Sequence, residues 1–138
     1  MTRWNTSTLV IDLVLACIIN TTAMLVSAAP LSVLSWVPGT ASAFCINVLL
    51  QLVLPVPAFA ARITAPLKSA VVQHLAELFV VNACYVSCIS LSMAYLATGG
   101  VNIFDFWWQS YITLLLVGYV ATLGCDAAAQ RLAHKHEE

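Results

Sequence analysis

Residues 9–29 read LVIDLVLACIINTTAMLVSAA, an apolar run interrupted by one charged side chain, Asp12, and one carboxamide, Asn20. A helix needs about 20 mostly apolar residues to cross a bilayer. The run is continuous and does not alternate, so it does not fit a strand of a membrane β-barrel. With Arg3 before it and Ser27-Ala28-Ala29 at its end, it has some features of a secretory signal. It is longer than the roughly 7–15 apolar residues of such a signal. Asp12 and Asn20 break it, and Pro30 would stand just behind the cut. The reading is a retained helix from Leu9 to Ala29, ended by Pro30, which cannot continue it.

Three similar runs follow. The second extends from Thr40 to Ile63, after the turn signal Pro38-Gly39. Pro55 and Pro57 lie inside it and predict a kink or an unwound turn; Pro66 falls in the connection. The third extends from Ala70 to Ala97 and stops at Gly99-Gly100. The fourth extends from Phe106 to Ala128, with Asn102 or Asp105 able to cap its start. Four spans consume the 138 residues, leaving no room for a soluble domain. The composition agrees: 62% hydrophobic and 8% charged, against roughly 45–50% and about 25% in ordinary soluble domains. A net charge of −1 gives no basis for binding nucleic acid through its phosphates. The fold class is all-α: a four-transmembrane-helix bundle whose partner is the lipid bilayer.

The basic residues set an orientation. Arg3, Arg62, Lys68, Arg131 and Lys135 all fall on one side of the four-span arrangement, and the connections at Ser32–Pro38 and Thr98–Asp105 hold no Lys or Arg. The positive-inside rule places both termini and the middle connection in the cytoplasm. Trp36 and the Phe104–Trp108 cluster then stand at the outer interface, and Trp4 at the inner one, where aromatic rings prefer to lie.

The chain divides into two hairpins, 1–67 and 68–138, both starting inside, so any repeat is parallel and not inverted. Ala16-Cys17 matches Ala83-Cys84 at an offset that also aligns Phe44 with Tyr111; Asp12 and Glu77 need a different offset. In its small and polar first helix (Ala16, Asn20, Ser27) and its proline-punctuated exit (Pro55-Val56-Pro57-Ala58, then Ala65-Pro66-Leu67), the stretch from Asp12 to Leu67 resembles the DUF2798 family. This is a two-helix domain of small bacterial inner-membrane proteins. Phe79–Arg131 resembles the same hairpin more loosely, with Thr122 and Gly124 where prolines would fall. The resemblance implies a fold and a bacterial inner-membrane location, and no chemistry.

Polar residues inside the spans are the candidates for function. Asn47, Gln51 and Pro55 recur every four residues, as do Thr8, Asp12, Ala16 and Asn20, so each set lines one helix face. Such faces turn toward each other or toward a cavity, away from lipid. Their commoner role is interhelical hydrogen bonding across small residues, which Cys17, Ala23, Ser87, Ser90, Ala94 and Gly118 supply. Asp12, Arg62, His74, Glu77 and Asp126 gather toward the cytoplasmic face, where interfacial pairing and snorkelling are the usual roles. The sharper possibility is a proton-linked acid, Asp12 or Glu77, with His74 as relay partner one turn from Glu77. The five cysteines show no Cys-x-x-Cys and read as small apolar residues. The tail His134-x-His136-Glu137-Glu138 reads as solvated. No metal site, cofactor motif or catalytic motif is present.

The leading expectation is a non-enzymatic membrane protein with a structural or assembly role. The alternative is a proton-coupled efflux transporter of small molecules or cations, working as a homodimer. Its plan is similar to a small proteobacterial efflux family with an acid in the first helix, without that family's charged motif around the acid. The candidates are Asp12, Asn20, Asn47, Gln51, His74 and Glu77. A polar cavity shared by Asp12 and Glu77 favours transport; headgroup-level pairing beside Arg62 and Arg131 favours the structural role.

Overall fold

The structure, a computed structural model, describes residues 6–28 and 30–135, apart from the side chains of Ser7 and residues 132–135. Arg3, Trp4, the Lys135 side chain and the tail at His134–Glu138 therefore lie outside the described side chains. The described residues form five helices: α1 (Thr6–Val26), α2 (Val33–Val53), α3 (Val56–Thr64), α4 (Ala70–Thr98) and α5 (Ile103–Lys135). α1, α2, α4 and α5 are each long and apolar enough to cross a membrane. This is the architecture of a multi-pass membrane protein.

The helix ends follow local chemistry. α1 stops at Val26, and Ala28 turns the chain in the left-handed region at φ 51° before Pro30. α2 starts at Val33 because Ser32 caps it, its side chain accepting from the Ser35 N–H. The prolines at 55 and 57 end α2 at Val53, and α3 starts afresh at Val56. The predicted kink is thus a full break. Gly99, in the left-handed conformation at φ 62°, closes α4. At the start of α5 the Phe106 N–H reaches the Asn102 carbonyl, and Asp105 lies inside the first turn. A carboxylate there favours the positive end of the helix dipole.

Pro38-Gly39 is not a turn. Both residues lie within α2, which begins earlier than Thr40. Pro38 deprives only the Leu34 carbonyl of its helical partner. Leu34 is 90% exposed, at the start of the helix, where a free carbonyl can be met from outside the bundle. The second span is therefore Val33–Val53, displaced toward the start of the chain from the expected Thr40–Ile63.

α1 packs against α2 and α5, and α4 packs against α2, α3 and α5. Two buried clusters form the core: Ala16, Ala43 and Ile89, and beside them Ile19, Val86 and Leu114. Each draws on both halves of the chain, so the hairpins share one interior. Near the turn ends each pair of long helices is tied alike. The Trp36 indole N–H donates to Thr21 Oγ1 at 2.9 Å, and that of Trp107 to Ser90 Oγ at 2.8 Å. The outer faces carry exposed Val, Leu, Ile and Phe along all four long helices. An apolar exterior around a small core suits a protein solvated by lipid.

Candidate functional site

Asp12 enters from α1 and is only 6% exposed. The break at Pro55 leaves the last turns of α2 free to lie beside it. Asn47 Nδ2 donates to Asp12 Oδ1 at 3.0 Å, and Gln51 Nε2 donates to Oδ2 at 2.8 Å. The two polar faces read from the sequence thus meet, with the acid between two carboxamides. An ionised carboxylate is acceptor-only, with room for about four bonds, so two amide donors leave lone pairs for a proton or a cation. Among the described residues no Lys or Arg pairs with Asp12, and the one ion pair joins His74 and Asp126.

Beside Asp12 lies a cavity of about 290 Å³, walled by all five helices. Its polar lining comes from Thr8, Asp12, Asn47, Gln51, Asn82, Tyr85 and Thr122, and the rest is aliphatic or proline. Pockets for small molecules have this character: mostly apolar, with a few fixed polar groups. Asn82, Tyr85 and Thr122 are not among the site candidates that the sequence offers. Asn82 is a carboxamide in mid-span, the same signal that picks out Asn20. Its Nδ2 donates to the Leu115 carbonyl at 3.1 Å, and its Oδ1 faces Gly118.

Asn20 stands apart from this cavity. Its Nδ2 donates to the Trp36 carbonyl at 3.1 Å and to Thr40 Oγ1 at 3.0 Å. Gly39 is required here: a Cβ at that position would lie 2.5 Å from Asn20 Oδ1. Asn20 therefore joins α1 to α2.

Glu77 does not share the cavity with Asp12. Its Oε1 accepts from Thr64 Oγ1 at 3.2 Å and from Gln73 Nε2 at 3.1 Å, tying α3 to α4. His74 is not its relay partner. The ring Nε2 lies 3.0 Å from Asp126 Oδ2, which also accepts from Gln130 Nε2 at 2.8 Å. The reason is helix rotation: His74 faces α5 while Glu77 faces α3. Arg62, on the last turn of α3, is exposed and pairs with neither acid. Asp12 thus remains the acid at the cavity, and Glu77 and His74 belong to helix contacts at the basic end.

All five cysteines are free; Cys84 and Cys88 lie along an open apolar groove between α4 and the Pro55 break. No family model, curated protein or solved structure matches the chain.

Proposed function

We propose that the protein is a non-enzymatic transporter of the bacterial inner membrane that exchanges a proton for a small, largely apolar cation, with Asp12 carrying one or the other. The supporting observation is the Asp12 carboxylate, buried at a mostly apolar cavity with two amide donors and no basic partner among the described residues. An ionisable residue inside a membrane bundle marks a substrate or proton path by default. The aliphatic walls suit the body of an apolar cation, and Tyr85 offers an aromatic ring, itself a partner for cations. The exchange balances: the neutral acid releases its proton as the cation takes its place beside the carboxylate.

The orientation in this reading has both termini in the cytoplasm. It follows from the five basic residues falling on one side of the four spans, by the positive-inside rule. The DUF2798-like hairpin supports the inner-membrane location.

A structural or assembly role is the second reading. It is favoured by the pairing of the buried polar side chains, since none of those described lacks a hydrogen-bond partner. The test is cation efflux from vesicles holding the purified protein, driven by imposed pH gradients. Wild type should move a small quaternary ammonium ion and Asp12→Asn should not. Transport equal to that of empty vesicles at every gradient would leave the structural reading.

A further inference from the structure

The bundle holds a second cavity, of about 140 Å³, toward the Trp-rich end. Its polar lining is Asn20, Ser27, Ser90 and Ser110. The two cavities follow one another along the chain on the long helices. On α1 the first is lined by residues from Thr8 to Ile19 and the second by residues from Ile19 to Met24, with Ser27 just beyond the helix end. On α4 the first runs from Val81 to Ile89 and the second from Ile89 to Ala97. On α5, Thr122 lines the first, while Phe106, Ser110 and Leu114 line the second. The cavities are therefore stacked along the bundle axis, and Ile19 and Ile89 line both.

Those two isoleucines are also among the most buried residues, 7% and 3% exposed. Ala16, Ala43, Val86 and Leu114 surround them, so the layer between the cavities is the hydrophobic core itself. Tyr85, which lines the first cavity, packs against the first of these clusters. Water is stable where polar partners hold it and unstable in a narrow apolar layer.

We infer that Ile19 and Ile89 form an apolar septum that closes the path between an inner chamber at Asp12 and an outer chamber at Asn20 and Ser90. This rests on the transport reading above. The septum keeps protons from running through the bundle when no cation is carried. Translocation then requires α1 and α4 to separate at these two side chains. Because the septum is also the core, opening it is a movement of whole helices and not of a loop.

The test is passive proton leak into vesicles carrying the full-length protein and a trapped pH dye, with no cation added. Ile19→Thr and Ile89→Thr keep the β-branch and bring a hydroxyl into the septum. Val120→Thr makes a like change on the outer face of α5, where Val120 is 68% exposed. The two septum variants should leak about tenfold faster than wild type or the Val120 variant, by wetting of the constriction. Leak equal to wild type in folded septum variants overturns the septum. Should a threonine variant lose its helicity, the Ile19→Val/Ile89→Val pair replaces it. It trims the layer without a polar atom and should leak about threefold faster, as cavities left by deleted methyl groups relax only partially; tightness equal to wild type again overturns the septum. The two readings fail separately. Leaky septum variants with Asp12-independent cation movement would remove the transport reading and keep the septum. Asp12-dependent movement with tight septum variants would do the reverse.

Discussion

Gly118 places α5 close against Asn82 and Val86 of α4, and replacing it by alanine tests that packing. A Cβ at Gly118 would lie 2.7 Å from Asn82 Oδ1 and 3.1 Å from Val86 Cγ2. Neither neighbour can yield freely. Val86 is 1% exposed, and Asn82 is buried and held by its bond to the Leu115 carbonyl. Forcing a methyl group into a packed interior costs about 1–3 kcal/mol. Displacing the Asn82 amide adds about 0.6 kcal/mol, the average for interhelical hydrogen bonds in a membrane protein. The gain in helix propensity from Gly to Ala returns about 1 kcal/mol. The net is a destabilisation of about 0.6–2.6 kcal/mol for Gly118→Ala. Gly124, two turns further along α5, is an internal control, because nothing lies within 4 Å of a Cβ there. Gly124→Ala should keep the propensity gain and stabilise the fold by up to about 1 kcal/mol. The assay is reversible unfolding in mixed micelles, followed by circular dichroism against denaturing-detergent fraction. The two variants should separate by about 1.6–3.6 kcal/mol, and truncating Asn82 to alanine should lessen the cost of Gly118→Ala, since neighbouring changes are not additive. Equal stabilities for the two glycine variants would refute the packing of α4 on α5.

Ala28 holds a left-handed conformation at φ 51°, which costs an L-residue about 1–2 kcal/mol. Ala28→Gly should therefore stabilise the fold by up to about 1 kcal/mol after the entropy lost by a freer unfolded chain; the same unfolding assay reads it, and a loss of stability would contradict it. Trp36→Phe removes the indole bond to Thr21 and should cost about 0.6–1.7 kcal/mol, the range for polar contacts between membrane helices. Trp107→Phe should do likewise at Ser90, and no change in either would show that these ties contribute nothing. His74→Ala breaks a pair whose side chains are 48% and 30% exposed, so unfolding should show a change under about 1 kcal/mol; a larger loss would mean the pair is more deeply held than its exposure implies.

Much of the fold is legible in the residues because lipid solvation makes hydrophobic length decisive. The end of α4 at Gly99 and the break at Pro55 and Pro57 follow from backbone chemistry alone. So does the meeting of the Asp12 face with the Asn47 and Gln51 face, since two polar stripes on adjacent helices have nowhere else to turn. Pro38-Gly39 misleads for a physical reason. A proline near a helix start forfeits one bond to an exposed carbonyl, while the glycine beside it is needed for the approach of Asn20, so a turn dipeptide here serves helix packing. The partners of His74 and Glu77 depend on how α3 and α5 are rotated about α4, and spacing along one helix does not carry that. Asn82 carries the same local signal as Asn20, but its place at the cavity comes from Gly118, which is 36 residues away in the chain.

Proton release on cation binding examines the role of Asp12 without vesicles or a gradient. Benzyltrimethylammonium has no exchangeable proton, so any acid that appears comes from the protein. Added to weakly buffered, detergent-solubilised protein below neutral pH, it should bind to wild type and release up to one proton per cation bound, from the acid that becomes its counter-charge. Asp12→Asn, which keeps the size of the side chain and loses the titrating group, should release none and bind at least about tenfold more weakly, the loss of roughly 1.4 kcal/mol. Binding of equal strength by both proteins, or binding to wild type with no proton released at any pH, would contradict the assignment of Asp12 as the shared site of proton and cation.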